Sequence, residues 1–142
     1  MPKAARFFDP AVTMQVAPFT LRANDCALWC LATFLSRPYE EIVAAAARID
    51  RDAGFDGLYL GQMIRIAAGF NVTLKRRETI NVDEDTGILG VVLPHYTHGH
   101  VVILKRGQVI DMRGRGVSIW DADVWLASKR AKADGILVVE SP

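Results

Sequence analysis

The segment from Cys26 to Leu35 limits the possible folds of this chain most strongly, because it is apolar on nearly every side. Asn24 and Asp25 directly before it are residues that cap helices, and Pro38 soon after it interrupts the pattern. A helix that lacks a polar face has to be buried all round. The other segments must therefore form layers that cover this helix.

Two more helices are predicted before the pattern changes. Pro38 suits the first turn of a second helix, which continues to Ala47. A third helix is predicted from about Leu58 to Ala68, with Gly69 in the usual stop position. The first half of the chain is thus predicted to be helical.

After Gly69 the pattern changes to short stretches rich in β-forming residues. These stretches are Val72–Lys75, Ile88–Leu93, His100–Leu104, Gln108–Asp111 and Ile136–Val139. One short helix, Asp121–Ser128, begins with an aspartate suited to the cap position. Helices first and an antiparallel sheet second predict an α+β fold. Core packing is predicted for the three tryptophans, Trp29, Trp120 and Trp125.

The length of 142 residues, 51% of them hydrophobic, predicts one globular domain over residues 1–142. Residues 1–20 show neither helical nor strand periodicity and contain three prolines, so they are predicted to form an extended N-terminal arm. A domain of this size buries about two thirds of its unfolded surface, so its stability needs neither disulfides nor metals. The two cysteines therefore call for another explanation.

Charge and hydropathy argue against several functional classes. Lys and Arg total 17 and Asp and Glu total 16, so the net charge of +1 does not favour nucleic acid as a partner. Basic clusters at 75–77 and 113–115 suit either a local phosphate patch or solvated strand ends and turns. The N-terminus lacks the apolar stretch of a signal peptide, and no apolar run is long enough to span a membrane. We therefore expect a cytoplasmic protein without a membrane segment.

Cys26 lies where a helix favours the reactive form of cysteine. A thiol is a useful nucleophile only as thiolate, and the unpaired N–H groups of a helix's first turn stabilise that charge. Cys30, one turn further along, lacks this advantage and is predicted to be a small core residue. A disulfide between them is disfavoured, because both side chains project from one regular helix. The alternative for Cys26, taken alone, is a second buried small side chain.

Two strands in the second half supply a base for this thiol. Arg106 and Gly107 are predicted to form a two-residue hairpin turn, which places Val102 opposite residue 111. Side chains alternate along a strand, so His100 lies diagonally to Asp111, at about 7 Å between Cβ atoms. The carboxylate then holds one ring nitrogen and leaves the other to accept the thiol proton. A three-residue turn would reverse the parity and separate the pair.

Two other histidines, His95 and His98, compete with His100 for this role. On the same register His95 points to the opposite face, and His98 lies beyond the strand, beside Gly99. The three histidines also permit a metal site with Asp111, but no second ligand group has the spacing of a metal site. We therefore expect no metal and no other cofactor.

Three segments together resemble a known family: 24–27, in which Asn-Asp-Cys-Ala opens the apolar helix, then 99–104, then 109–111. They are similar to the double-glycine leader peptidases, papain-like domains that trim bacteriocin precursors, and to their stand-alone relatives in bacteria and phages. The resemblance covers nearly the whole chain. It implies a papain-like fold in which Cys26 is the nucleophile, His100 the general base and Asp111 the residue that orients the base.

The chain departs from this family at three positions. Ala27 and Met112 stand where the family usually has Gly and Pro, and Thr20 stands where it has a Gln that helps to form the oxyanion hole. Losing one oxyanion donor commonly costs about a hundredfold or more in rate. Thr20 and Asn24 are the oxyanion candidates of this chain, and Asn24 is also suited to cap the helix.

Register and resemblance together predict a cysteine peptidase-like hydrolase that cleaves a peptide or isopeptide bond through an acyl-thioester on Cys26. Acyl transfer to an amine would use the same groups. The expected partner is a peptide or protein substrate. The alternative, prompted by Thr20, is a catalytically degenerate peptidase-like module that binds a peptide or protein partner without cutting it.

Overall fold

The computed structural model describes residues 26–49, 60–94, 99–113 and 116–140. Over these residues the chain has four helices and a six-stranded antiparallel sheet, the mixed α+β architecture that the sequence predicts. The predicted N-terminal arm, residues 1–20, lies outside them. None of the described helices has the length and hydropathy that crossing a membrane requires.

Three helices come first in the described part of the chain. α1 spans Cys26–Phe34, α2 spans Tyr39–Ile49 and α3 spans Leu60–Gly69. Every residue of α1 after the first is buried, as its apolar pattern predicts. α2 and α3 bury one apolar face each and expose the rest, so they cover α1 while keeping contact with solvent.

The sheet and the fourth helix follow. In chain order the elements are β1 (Leu74–Arg77), β2 (Thr86–Val92), β3 (His100–Lys105), β4 (Gln108–Arg113), β5 (Gly116–Asp121), α4 (Ala122–Lys129) and β6 (Lys132–Val139). The spatial order is β1-β6-β2-β3-β4-β5, with every neighbouring pair antiparallel. β2 to β5 therefore form a meander, and β6 returns to lie between β1 and β2.

The sheet separates two hydrophobic cores. The helix-side core joins α1, α2 and α3 to the sheet residues Leu74, Ile88, Val101, Ile103, Ile110 and Leu137. The α4-side core contains Leu89, Val91, Leu93, Val102, Leu104, Val109, Ala122, Trp125 and Ile136. Successive residues of β3 alternate between the two cores, as the pleat of a strand requires. Because helices cover both faces of the sheet, β3 is apolar along almost its whole length.

The turn between β3 and β4 is tied to its neighbours through the backbone. Arg106 and Gly107 have φ values of +44° and +84°, and two positive φ values in a two-residue loop define a type I′ turn. The Gly107 N–H donates to the Val82 carbonyl at 2.9 Å, and the Arg106 N–H donates to the Asp85 carbonyl at 3.0 Å. The Gly107 carbonyl accepts from the N–H of Ala122, the first residue of α4, at 2.8 Å. The hairpin is thereby joined to the β1–β2 connection and to α4.

Several details of the sheet and its last helix differ from the sequence predictions. No strand is predicted over 116–121, yet these residues form β5. Core packing is predicted for Trp120, but this residue is 42% exposed. It lies on β5, an edge strand that pairs with β4 on one side only. Asp121 occupies the N-cap of α4 as expected, but its side chain makes no capping hydrogen bond. Trp29 and Trp125 are buried, as predicted.

Candidate active site

The β3–β4 hairpin has the register that the sequence predicts. Three cross-strand pairs adjoin the two-residue turn: Lys105–Gln108, Leu104–Val109 and Ile103–Ile110. Side chains at alternate positions of a strand share a face. His100 and Asp111 therefore follow the parity of Leu104 and Val109, two residues of the α4-side core.

His100 and Asp111 form a hydrogen-bonded pair. The Nε2–H of His100 donates to Oδ1 of Asp111, and the two heavy atoms are 3.1 Å apart. Only 11% of the His100 side chain and 5% of the Asp111 side chain are exposed, so little water competes for this bond. Because Asp111 takes Nε2, Nδ1 is the ring nitrogen that is left for a further partner.

Cys26 is the other side chain that acts on His100. It is the first residue of α1, it is partly exposed, and it lies close enough to the imidazole to raise its pKa. Burial lowers the pKa of His100, but hydrogen bonds with Asp111 and Cys26 and the negative charges of both groups raise it from 6.5 to about 9. At neutral pH the ring is therefore held as an imidazolium, the form that both Asp111 and Cys26 favour.

Cys30 lies one turn further along α1 in a different environment. It is fully buried, and its Sγ donates a hydrogen bond to the Val101 carbonyl of β3 at 3.5 Å. Burial raises the pKa of the Cys30 thiol well above its ordinary value, and negative charge on Cys26 and Asp111 raises it further. Both cysteines are free. The prediction that Cys30 is a small core residue is confirmed.

One contact of His100 is not indicated by the sequence. The indole ring of Trp125 on α4 stacks against the imidazole, with centroids 6.5 Å apart and planes 25° apart. Trp125 is fully buried in the α4-side core. The sequence places Trp125 in a late helix, but its contact with His100 depends on how α4 folds back after β5. No local pattern could have revealed this contact.

The structure brings together the three predicted catalytic residues, Cys26, His100 and Asp111. Four other residues named from the sequence lie outside the described part of the chain: Thr20, Asn24, His95 and His98. Where the structure is described, no group of three or more His, Cys, Asp or Glu side chains is arranged to hold a metal ion.

The arrangement places a thiol, an imidazole that can carry a proton, and a carboxylate next to one another in space. The sulfur is partly exposed, while the imidazole and the carboxylate behind it are largely buried. Such a set can attack an electrophilic carbon from the exposed end and move a proton at the imidazole. No protein-family model matches this chain, and no curated protein matches it.

Proposed function

We propose that this chain is a papain-like cysteine hydrolase that cleaves a peptide or isopeptide bond through Cys26. The observation that carries the proposal is that His100 bonds to Asp111 while Cys26 lies close enough to act on the same imidazole. Thiol, imidazole and carboxylate in this order are the groups that activate a cysteine nucleophile. A purely structural cysteine needs no imidazole partner, and Cys30 provides that comparison within the same helix.

In the acylation step, the Cys26 thiolate attacks the carbonyl carbon of the scissile bond and forms a carbon–sulfur bond. The bond from that carbon to the leaving nitrogen breaks, and the imidazolium of His100 donates its Nδ1 proton to the leaving amine. Asp111 stays ionised and keeps the ring oriented through Nε2. The products of this step are a free amine and a thioester on Cys26.

In the deacylation step, a water molecule attacks the thioester carbonyl while neutral His100 accepts one of the water's protons. The carbon–sulfur bond breaks, the carboxylic acid product leaves, and the sulfur departs as a thiolate. The thiolate–imidazolium pair is thereby restored, and one water is consumed. An amine in place of this water would give acyl transfer.

The resemblance to the double-glycine leader peptidases supports the papain-like assignment and a peptide or protein substrate. The order of elements is also in keeping with this assignment. The nucleophile lies on an apolar helix packed against β3, and the base and acid lie on an antiparallel hairpin later in the chain. The fold alone does not define a substrate, so the substrate class depends on this resemblance.

A second candidate is a peptidase-like module that binds a peptide without cutting it. The observation that favours it is Thr20, which stands where the similar family has the Gln of its oxyanion hole. Without that donor the negative oxygen of the tetrahedral intermediate is less stabilised, which slows both steps. The two candidates share the same fold and differ in whether the bound peptide is cleaved.

Thiol labelling and peptide cleavage test the proposal together. An alkylating probe at pH 7 should label Cys26 much faster than Cys30, with fast labelling kept in Cys30→Ala and lost in Cys26→Ala. Wild type should cleave members of a peptide library, whereas Cys26→Ala and His100→Ala should not. Selective labelling without any cleavage would favour the binding module. Equal labelling of wild type and Cys26→Ala would refute the assignment of the nucleophile.

A further inference from the structure

Among the described residues, side chains from three elements act on the imidazole of His100. Asp111 on β4 accepts a hydrogen bond from Nε2, in the plane of the ring, and Cys26 on α1 also acts on the imidazole and raises its pKa. Trp125 on α4 stacks against the ring instead, within the centroid range of aromatic pairs. Of the described groups that act on His100, Cys26 and Asp111 can ionise, whereas the indole contributes packing.

The indole N–H does not explain the position of Trp125. Its Nε1 is buried and has no hydrogen-bond partner among the described residues. Burying an indole N–H without a partner is unfavourable, and a Phe or Leu would avoid this cost. Core filling alone therefore does not call for an indole at this position. The extended aromatic face of Trp125 is the part that meets another functional group.

α4 is held in place relative to the hairpin that carries the histidine. The N–H of Ala122 donates to the Gly107 carbonyl in the β3–β4 turn at 2.8 Å. At the other end of α4, the N–H of Ala131 donates to the Leu126 carbonyl at 2.9 Å. The first bond ties the start of α4 to the hairpin, so the ring of Trp125, one turn further along, keeps its place beside β3; the second bond only closes the end of the helix itself.

We propose that Trp125 is a positioning residue for the thiol–imidazole–carboxylate group: its indole face keeps the His100 ring aligned with Cys26 and Asp111 and excludes water from that side. The effect on catalysis rests on the proposed function. The effect on the ring itself does not, because alignment and hydration of an imidazole can be measured without a substrate.

The titration of His100 reports on this role. Trp125→Leu keeps an apolar side chain but removes the aromatic face, so water gains access to the ring. Water weakens the interactions of the ring with Asp111 and Cys26. The titration midpoint of His100 should therefore fall by about one pH unit, from about 9 toward 6.5. Histidine NMR measures this midpoint. The rate of Cys26 alkylation by iodoacetamide at pH 7 should fall about tenfold, because a misaligned and less often protonated ring activates the thiol less.

Trp125→Phe is the conservative variant. It keeps an aromatic face and removes only the unpartnered N–H, so both the midpoint and the alkylation rate should stay close to wild type. Phe34→Leu is the matched control, because it also replaces a fully buried aromatic residue but lies at the far end of α1 from Cys26. It should lower stability and leave both readouts unchanged.

A folded Trp125→Leu protein with an unchanged midpoint and alkylation rate would overturn the inference. If this variant does not fold, wild type decides: nuclear Overhauser contacts between the ring protons of His100 and Trp125 support the inference, and their absence overturns it. A wild type that cleaves no peptide while Trp125→Leu shifts the midpoint would overturn the hydrolase proposal and leave the role of Trp125 standing.

Discussion

The first and second turns of α1 carry the same side chain in two environments. Cys26 in the first turn is partly exposed and lies beside the imidazole of His100, whose pKa it raises. Cys30 in the second turn is fully buried and bonds to a backbone carbonyl. The two thiols are one helical turn apart, yet one lies beside an ionisable ring and the other lies against the main chain.

The difference between the two turns comes from the sheet. α1 packs along β3, so each turn of the helix meets a different residue of that strand. The second turn meets the main chain of Val101, whereas the first turn meets the side chain of His100, where β3 begins. The environment of each cysteine is therefore set by the helix–strand register.

Removing each thiol in turn has the largest expected effect. Cys26→Ala should lower peptide cleavage at least about a thousandfold, because no other group replaces the nucleophile. Cys30→Ala should keep most of the activity and cost about 1 kcal/mol of unfolding free energy as a small core deletion. Steady-state cleavage assays and urea titrations measure these effects. Comparable losses of activity in the two variants would contradict the distinction between the turns.

The pH dependence of the unfolding free energy tests the ion-paired state of His100. The pKa of His100 is 6.5 in the unfolded chain and about 9 in the fold, so its contribution is complete below pH 6.5 and is lost as the pH rises through 9. This contribution is on the order of 3 kcal/mol. Urea unfolding at pH 6 and pH 9 should show the loss.

The two cysteine variants serve as controls for this titration. Cys26→Ala should shrink the loss between pH 6 and 9, because one partner of the imidazolium is gone. Cys30→Ala should leave that loss in place and remove a further loss above pH 9, since the raised pKa of Cys30 keeps it protonated only in the fold. A stability curve that is flat between pH 6 and 9 in wild type would contradict the ion-paired histidine.

The carboxylate behind the histidine has the next largest expected effect. Asp111→Asn removes the charge and keeps the shape, so the pKa of His100 should fall and cleavage should slow by about a hundredfold. Asp123→Asn, which removes an exposed carboxylate from α4, is the control and should change neither quantity. Histidine NMR and cleavage rates make the comparison. An unchanged titration midpoint of His100 in Asp111→Asn would contradict the claim that the Asp111 carboxylate raises the pKa of this histidine.

The hairpin turn has the smallest expected effect. Gly107 has a φ of +84°, and the nearest atom to an added Cβ is 3.8 Å away, so Gly107→Ala should cost about 1 kcal/mol from backbone strain alone. Gly61→Ala in α3 is the control, since a Cβ there meets open space, and it should stabilise by about 0.5 kcal/mol or more. Urea titrations measure both. If Gly107→Ala also abolishes the raised pKa of His100, the register itself has slipped.

The pairing of His100 with Asp111 could be predicted because it depends on local parity. A two-residue turn at Arg106 and Gly107 sets which residues face each other, and the alternation of side chains does the rest. The burial of α1 could also be predicted from local sequence, because a helix without a polar face cannot expose any side to water at low cost.

Features that depend on distant packing could not be predicted. β5 was missed because a short, glycine-containing segment beside arginines resembles a turn, and only pairing with β4 makes it a strand. The start of β6 at Lys132 was missed because its first three residues are polar or small and gain strand structure through β2. The stacking of Trp125 on His100 likewise depends on where α4 lies after the meander closes.

The three backbone bonds at the β3–β4 turn have a consequence for protein engineering. Short hairpin turns are usual sites for inserted tags, fused domains or new termini. Here Gly107 bonds through its N–H to the β1–β2 connection and through its carbonyl to α4, and Arg106 bonds to the β1–β2 connection as well. Opening the chain between these two residues would detach α4 and the β1–β2 connection together. A reporter or a circular permutation should be placed elsewhere.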